Sequence, residues 1–342
     1  MKRVLVTGAT GKIGKLLIPK LAKHSDVVVR ALVRDELKAA ALTRSGVELT
    51  RGSFEDSSAV RRAVREIDTL VLITPATPSA VAQAQGVLSA AGEAGVRKIV
   101  RISVFNAASD GPSDVIRLHG STDAQIRSSG LIYTILRPPF FMQNLCFMAG
   151  RSIAKEGKIY FGTGNGRLGM IDLRDVVDCA EESVLSKAYD NKVFALTGPE
   201  SISFHEIADR LGNLLTHPIR YVPVSPEAVE LSIRMSRSDW YATVMRDLCR
   251  AYSEGWGDVI TGDVAHITGR RPRSFDVFAR EILLPTLSLH RHCQTPAPHR
   301  NPGAAQQEEV RIRVRARSVS PASRRIVPAA PSRSSPSPRS FP

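Results

Sequence analysis

Val4-Leu5-Val6-Thr7-Gly8-Ala9-Thr10-Gly11-Lys12-Ile13-Gly14 decides how the rest of the chain is read. Its branched apolar run predicts a buried parallel strand. The run passes straight into Gly-x-x-Gly-x-x-Gly, and apolar residues at helical spacing follow at Ile13, Leu16, Leu17 and Leu21. Strand, glycine turn and helix set a helix N-terminus against a pyrophosphate. Gly8 is expected to turn tightly off the strand, Gly11 to admit phosphate oxygens, and Gly14 to let the helix pack close. Thr10, Lys12 and Ile13 complete the expected cofactor turn. A glycine motif alone also fits an ordinary turn before a helix. The second apolar strand, Val27–Val33, one helix length later favours dinucleotide binding.

Strands and helices alternate onward from that turn. Helices are predicted over 36–45, 58–65, 79–94 and 114–129, with strands over 46–50, 69–73, 98–103 and 132–136. This pattern predicts an α/β fold, a Rossmann-type doubly wound parallel sheet. Ligands of such sheets lie outside the carboxyl ends of the strands. Arg34, Ser53, Phe54, Thr74, Pro75 and Ser103 stand there and are the further expected cofactor contacts.

The second half is more mixed. Residues 157–169 read as a hairpin or loop, and a helix is predicted over 172–186, with Asp172 and Asp175 as its caps. Ser203-Phe204-His205-Glu206 is a capping box opening a helix that runs to about Leu215. Residues 219–224 read as a strand, 226–255 as mostly helical, and 274–284 as the closing element. The expected organisation is one NAD(P)-binding domain over 1–285. It comprises a Rossmann core over about 1–150 and a smaller C-terminal α/β lobe over about 151–285, with no clean linker. Residues 286–342 include nine prolines and lose periodicity, so a disordered tail is expected there.

The formal net charge of +14 divides unevenly. Residues 286–342 hold ten Arg, no Lys and two Glu, giving +8 and leaving +6 for residues 1–285. More than half of the basic excess therefore sits in the tail. There, Val310-Arg311-Ile312-Arg313-Val314-Arg315-Ala316-Arg317 permits non-specific contact with nucleic acid. A solvated extension without a specific partner, or a frame-altered C-terminus, is the plainer reading. Cys146, Cys179, Cys249 and Cys293 have no paired spacing, which predicts reduced thiols and no metal site. The start lacks a signal-peptide pattern and no apolar run reaches membrane-span length, so a cytoplasmic protein is expected.

Several motifs in order resemble the NmrA-like group of atypical short-chain dehydrogenases, including bacterial type-2 quinone reductases. They are the glycine turn, Ala31-Leu32-Val33-Arg34, Ala94-Gly95-Val96-Arg97-Lys98-Ile99-Val100, and Leu136-Arg137-Pro138-Pro139-Phe140-Phe141-Met142-Gln143-Asn144. Asp172-Leu173-Arg174-Asp175-Val176, Thr197-Gly198-Pro199-Glu200 and Thr268-Gly269-Arg270-Arg271-Pro272-Arg273-Ser274-Phe275 continue the series. The resemblance spans about 3–284 and implies a nicotinamide dinucleotide between the core and the small lobe.

The end of the second strand indicates which dinucleotide. An acidic residue there binds a ribose 2′-hydroxyl, and an arginine accommodates a 2′-phosphate. Val33-Arg34 favours NADP(H) over NAD(H), with Lys12 as a second cation. Asp35 complicates this unless it caps the following helix.

Ordinary short-chain dehydrogenases use Tyr-x-x-x-Lys, and no tyrosine here has a lysine four residues later. The resemblance places His119 and Asp123 at that station, as a shorter version of the His-x-x-x-Glu of the quinone reductases. A surface His–Asp pair is the structural alternative. A quinone is more forgiving than a ketone, because its product phenolate is much less basic than an alkoxide and water or a histidine can supply the proton, so this pattern suits a quinone-like substrate. Phe140, Phe141 and Asn144 are expected to line its site, with core packing or loop capping as their alternatives. The leading expectation is an NAD(P)H-dependent oxidoreductase acting on a quinone or related electrophile. A non-catalytic NAD(P)-binding redox sensor is the other.

Overall fold

The computed structural model describes residues 1–43 and 46–292. Its strands are β1 (Lys2–Val6), β2 (Val27–Val33), β3 (Glu48–Arg51), β4 (Thr69–Leu72), β5 (Lys98–Ile102), β6 (Ile132–Arg137), β7 (Lys158–Phe161), β8 (Arg167–Leu168), β9 (Lys192–Ala195), β10 (Ile202–Ser203) and β11 (Arg220–Pro223). The helices of the first half are α1 (Lys12–Leu21), α2 (Glu36–Thr43), α3 (Ser57–Val64), α4 (Ala80–Glu93) and α5 (Asp114–Ser128). Then come α6 (Asn144–Met148), α7 (Gly150–Glu156), α8 (Leu173–Leu185), α9 (Phe204–Leu215), α10 (Pro226–Arg234) and α11 (Asp239–Ser253). Short α12 (Asp263–Thr268) and α13 (Phe275–Phe278) precede a π-helical turn, Ala279–Leu283, and α14 (Leu284–His292).

One seven-stranded sheet in the order β3-β2-β1-β4-β5-β6-β9 forms the centre, as the alternating pattern predicted. Every pairing in it is parallel, with Val4 facing Val29 on one side and Thr69 on the other. The alternation of β1 sorts its residues between two cores. Val4 and Val6 pack with Leu17, Leu21 and Val176, while Leu5 packs with Leu70, Leu72 and Ile135.

The chain crosses the expected division near residue 150. Helix α8 packs beside α1, where Lys20 Nζ reaches Glu181 Oε2 at 2.6 Å. Strand β9 then adds to the main sheet beside β6. Residues 173–195 therefore return to the core, because their apolar face matches the face that α1 leaves open. A second core, including Phe161, Phe204, Tyr221 and Phe278, holds the smaller lobe together.

Two expectations need correction. Residues 157–169 do not form a hairpin: β7 pairs in parallel with β11, and β8 pairs antiparallel with β10. The glycines allow both crossings, since a Cβ at Gly166 would lie 2.1 Å from the Tyr252 carbonyl oxygen. Helix α14 also runs to His292, so 286–292 are helical. The rest of the expected tail, with Cys293, lies outside the described residues. The capping box forms as read: the Ser203 hydroxyl accepts from the Glu206 N–H at 3.2 Å, and Glu206 accepts from the Ser203 N–H at 2.7 Å.

Asp172 caps α8, accepting from the Arg174 N–H at 2.9 Å. Asp175 does not act as a cap. It is buried and accepts from the Arg273 N–H at 2.8 Å, with the guanidinium groups of Arg270 and Arg273 beside it. The Thr268–Phe275 motif is thereby clasped to the core.

Candidate active site

The glycine turn leaves β1 at Gly8, whose φ of +61° costs little without a Cβ. Thr7, fully buried beneath it, ties the turn to β4: its hydroxyl accepts from the Ile73 N–H at 2.8 Å. A Cβ at Gly14 would lie 2.6 Å from the carbonyl oxygens of Gly8 and Ala9, so only glycine lets α1 approach the turn this closely. No acidic side chain occupies the first turn of α1. Its leading amides, from Lys12 and Ile13 onward, have no intrahelical acceptors and suit a phosphate. A dinucleotide pyrophosphate fits these residues.

Arg34 is exposed at the end of β2, and Asp35 turns away from it. Asp35 Oδ1 accepts from the Leu37 and Lys38 N–H groups at 3.0 and 3.3 Å, capping α2. Ser53 holds the Glu55 carboxyl below its usual range, with a smaller pull from Arg34. Gln83 donates to Glu55 at 2.6 Å. Thr74 Oγ1 is buried without a hydrogen-bond partner among the described residues, at the carboxyl end of β4. Pro75 beside it is exposed, and Phe54 packs partly into the core below β2.

Lys12 reaches across to α6. Its ammonium lies 3.3 Å from Asn144 Oδ1 and 4.0 Å from the Phe147 ring centroid. Burial lowers its pKa, and nearby Arg237 adds to that shift. The amine is therefore directed toward the smaller lobe.

His119 and Asp123 share one face of α5 but do not form a surface pair. His119 is half-buried, and its Nδ1 lies 3.1 Å from Arg101 Nη2. A guanidinium only donates, so Nδ1 accepts and the imidazole proton sits on Nε2. Burial, then Arg101, then Arg137 push its pKa well below the ordinary histidine value. Asp123 is fully buried: Oδ2 accepts from the Ser103 hydroxyl at 2.8 Å and from Arg137 Nε at 2.9 Å. Arg101 is 1% exposed. Its Nη1 donates to the Leu72 carbonyl at 3.3 Å, and Nε stands 3.9 Å from Asp123 Oδ1. Burial pulls the Arg101 guanidinium down to about 10, against the opposing pull of Asp123, so it stays charged at neutral pH.

Phe140 takes up the core packing that was the alternative to lining the substrate site. It is 6% exposed and packs edge-on against Phe161, Phe204 and Tyr252 in the small-lobe core. Phe141 bridges to Ile171 and is partly buried against the main core. Ser103 is 3% exposed, with its proton donated to Asp123. The aromatic side chain open to solvent near the turn is Phe147, 70% exposed.

Residues 8–163 match the model of an NAD(P)H-binding family. The chain is 30% identical over 278 residues to the NAD(P)H azoreductase of Xenophilus azovorans, covering 81% of this chain and 96% of that protein. The chain belongs to the NAD(P)H-binding family. Quinone oxidoreductase 2 of Escherichia coli (strain K12) is 28% identical over 213 residues, covering 61% of this chain and 73% of that one. The fold is also that of the E. coli NADPH-dependent quinone oxidoreductase complexed with NADPH. Its TM-score is 0.73 at 23% identity, covering 80% of this chain and 97% of that one.

Around this site, Arg101, Arg137 and Phe147 escaped the sequence reading. Arg101 had a signal, a charge inside the otherwise apolar Ile99-Val100-Arg101-Ile102 of a central strand. Phe147 had none, since the six bulky apolar residues of the 140–148 stretch look alike until the helix faces are fixed.

Proposed function

We propose that this protein is an NADPH-dependent reductase of quinone-like planar electrophiles, with the glycine turn and Arg34 holding the cofactor. A bound nicotinamide supplies the hydride. The observation that carries the reading is the contact between Arg101 and His119, which leaves a neutral imidazole with Nε2–H free to donate. A neutral imidazole is a weak acid but a strong polarising donor toward an oxygen gaining negative charge. His119 accordingly stabilises the developing phenolate, whose final proton comes from water. Asp123 serves by fixing Arg137 and Ser103 around α5. The preference for NADPH is supported by Asp35, whose carboxylate is committed to the α2 cap and leaves Arg34 free for a 2′-phosphate. Phe147 and Asn144 flank the substrate end of the turn. The test is NADPH oxidation with a series of quinones and azo compounds, comparing the wild type with His119→Ala. Binding of NADPH without turnover on any of them would favour a redox sensor instead.

A further inference from the structure

Arg101 occupies a place where an apolar residue would serve stability better. Removing a guanidinium from water is costly, and a buried ion pair often gives no net gain over hydrophobic packing. Its pairing here is also incomplete: Arg101 Nε and Asp123 Oδ1 both lack a hydrogen-bond partner among the described residues and stand 3.9 Å apart. The side chain instead directs Nη2 at His119 Nδ1.

We propose that Arg101 is a positioning residue that fixes His119 in the Nε2–H tautomer and aims that N–H at the substrate oxygen. The inference rests on the reading of His119 as the substrate-side donor. Any partner with a lone pair, a carboxylate or a carbonyl, would accept from Nδ1–H and select the opposite tautomer. Only a pure donor at this point forces the proton onto Nε2, and arginine is a donor that keeps its charge. The other charged groups set around His119 are Arg137 on β6 and Asp123 on its own helix. Arg137 is held by Asp123 at 2.8–2.9 Å, so its charge is balanced there. Arg101 is therefore the cation that acts on the imidazole directly.

The experiment is long-range proton–nitrogen NMR of the full-length protein, with His119 assigned by comparison with His119→Gln. The expected wild-type result is a single Nε2–H tautomer from about pH 8 down to about pH 5, below the ordinary histidine pKa. Arg101→Met should mix the tautomers and raise the His119 pKa only part of the way, since burial and Arg137 still hold it down, while Arg101→Lys, which keeps a cationic donor, should recover the wild-type spectrum in part. Quinone turnover in Arg101→Met should fall roughly tenfold with NADPH affinity unchanged, since the oxyanion donor is no longer fixed. A wild-type Nδ1–H tautomer, or ordinary titration near pH 6.5, overturns the proposal without any variant. Unchanged turnover in His119→Ala sinks the catalytic reading separately, whatever the spectra show.

Discussion

Arg137 and Asp123 meet between the end of β6 and the middle of α5, with Arg137 Nε 2.9 Å from Asp123 Oδ2. The carboxylate also receives the Ser103 hydroxyl from β5's end, so one fully buried group ties two strands to one helix. Asp123→Ala leaves Arg101 and Arg137 without their counter-charge. Losing one partner of a buried pair typically costs about 3–5 kcal/mol. Urea denaturation should show a loss of this order, and a cost below about 1 kcal/mol would mark the pair as dispensable.

The Gly14 position forbids even a methyl group. Gly14→Ala should destabilise by about 1–3 kcal/mol through overpacking against the Gly8 and Ala9 carbonyls, although alanine is the better helix former. NADPH affinity, followed by quenching of the nicotinamide fluorescence, should fall with it. A stabilised variant with intact binding would show that the turn relaxes freely.

Arg34→Asp separates the two nicotinamide cofactors. A charge-assisted bond to a 2′-phosphate contributes about 1.5–3 kcal/mol. NADPH affinity should therefore fall roughly ten- to a hundredfold while NADH affinity changes little. Equal losses for both would refute the assignment to the 2′-phosphate.

The glycine turn and the parallel sheet were legible because each depends on short-range pattern: apolar strands, three glycines and a helical repeat. Asp35 was legible as a cap for the same reason, since its acceptors are the next few amides. The contacts around His119 were not, because Arg101, Asp123 and Arg137 come from three elements that only the tertiary fold brings together. Phe140 and Phe147 show the same limit. Both follow β6, and only the tertiary fold sends Phe140 into the lobe core and leaves Phe147, on α6, beside Lys12. The helix over 173–185 read correctly as a helix, yet its docking on α1 depended on the distant apolar face it meets.

Acid should probe the capping box of α9. Burial raises the Glu206 pKa, but the Ser203 N–H, then Arg167 and the Ser203 hydroxyl, hold it down to about 2. A carboxylate whose folded pKa is depressed contributes stability above its unfolded value near 4.5, and loses it as pH falls toward about 2. Thermal unfolding of the wild type and Glu206→Gln should converge across that window. Parallel curves would show that the box contributes no proton linkage.

Turnover itself tests the central claim most directly. NADPH oxidation by the full-length protein should proceed with a quinone acceptor, and its kcat/KM should show no histidine limb near pH 6.5, because His119 stays neutral throughout. His119→Ala should lose roughly a hundredfold in kcat, the scale of one oxyanion donor. NADPH binding without oxidation, or undiminished turnover in His119→Ala, would contradict the account.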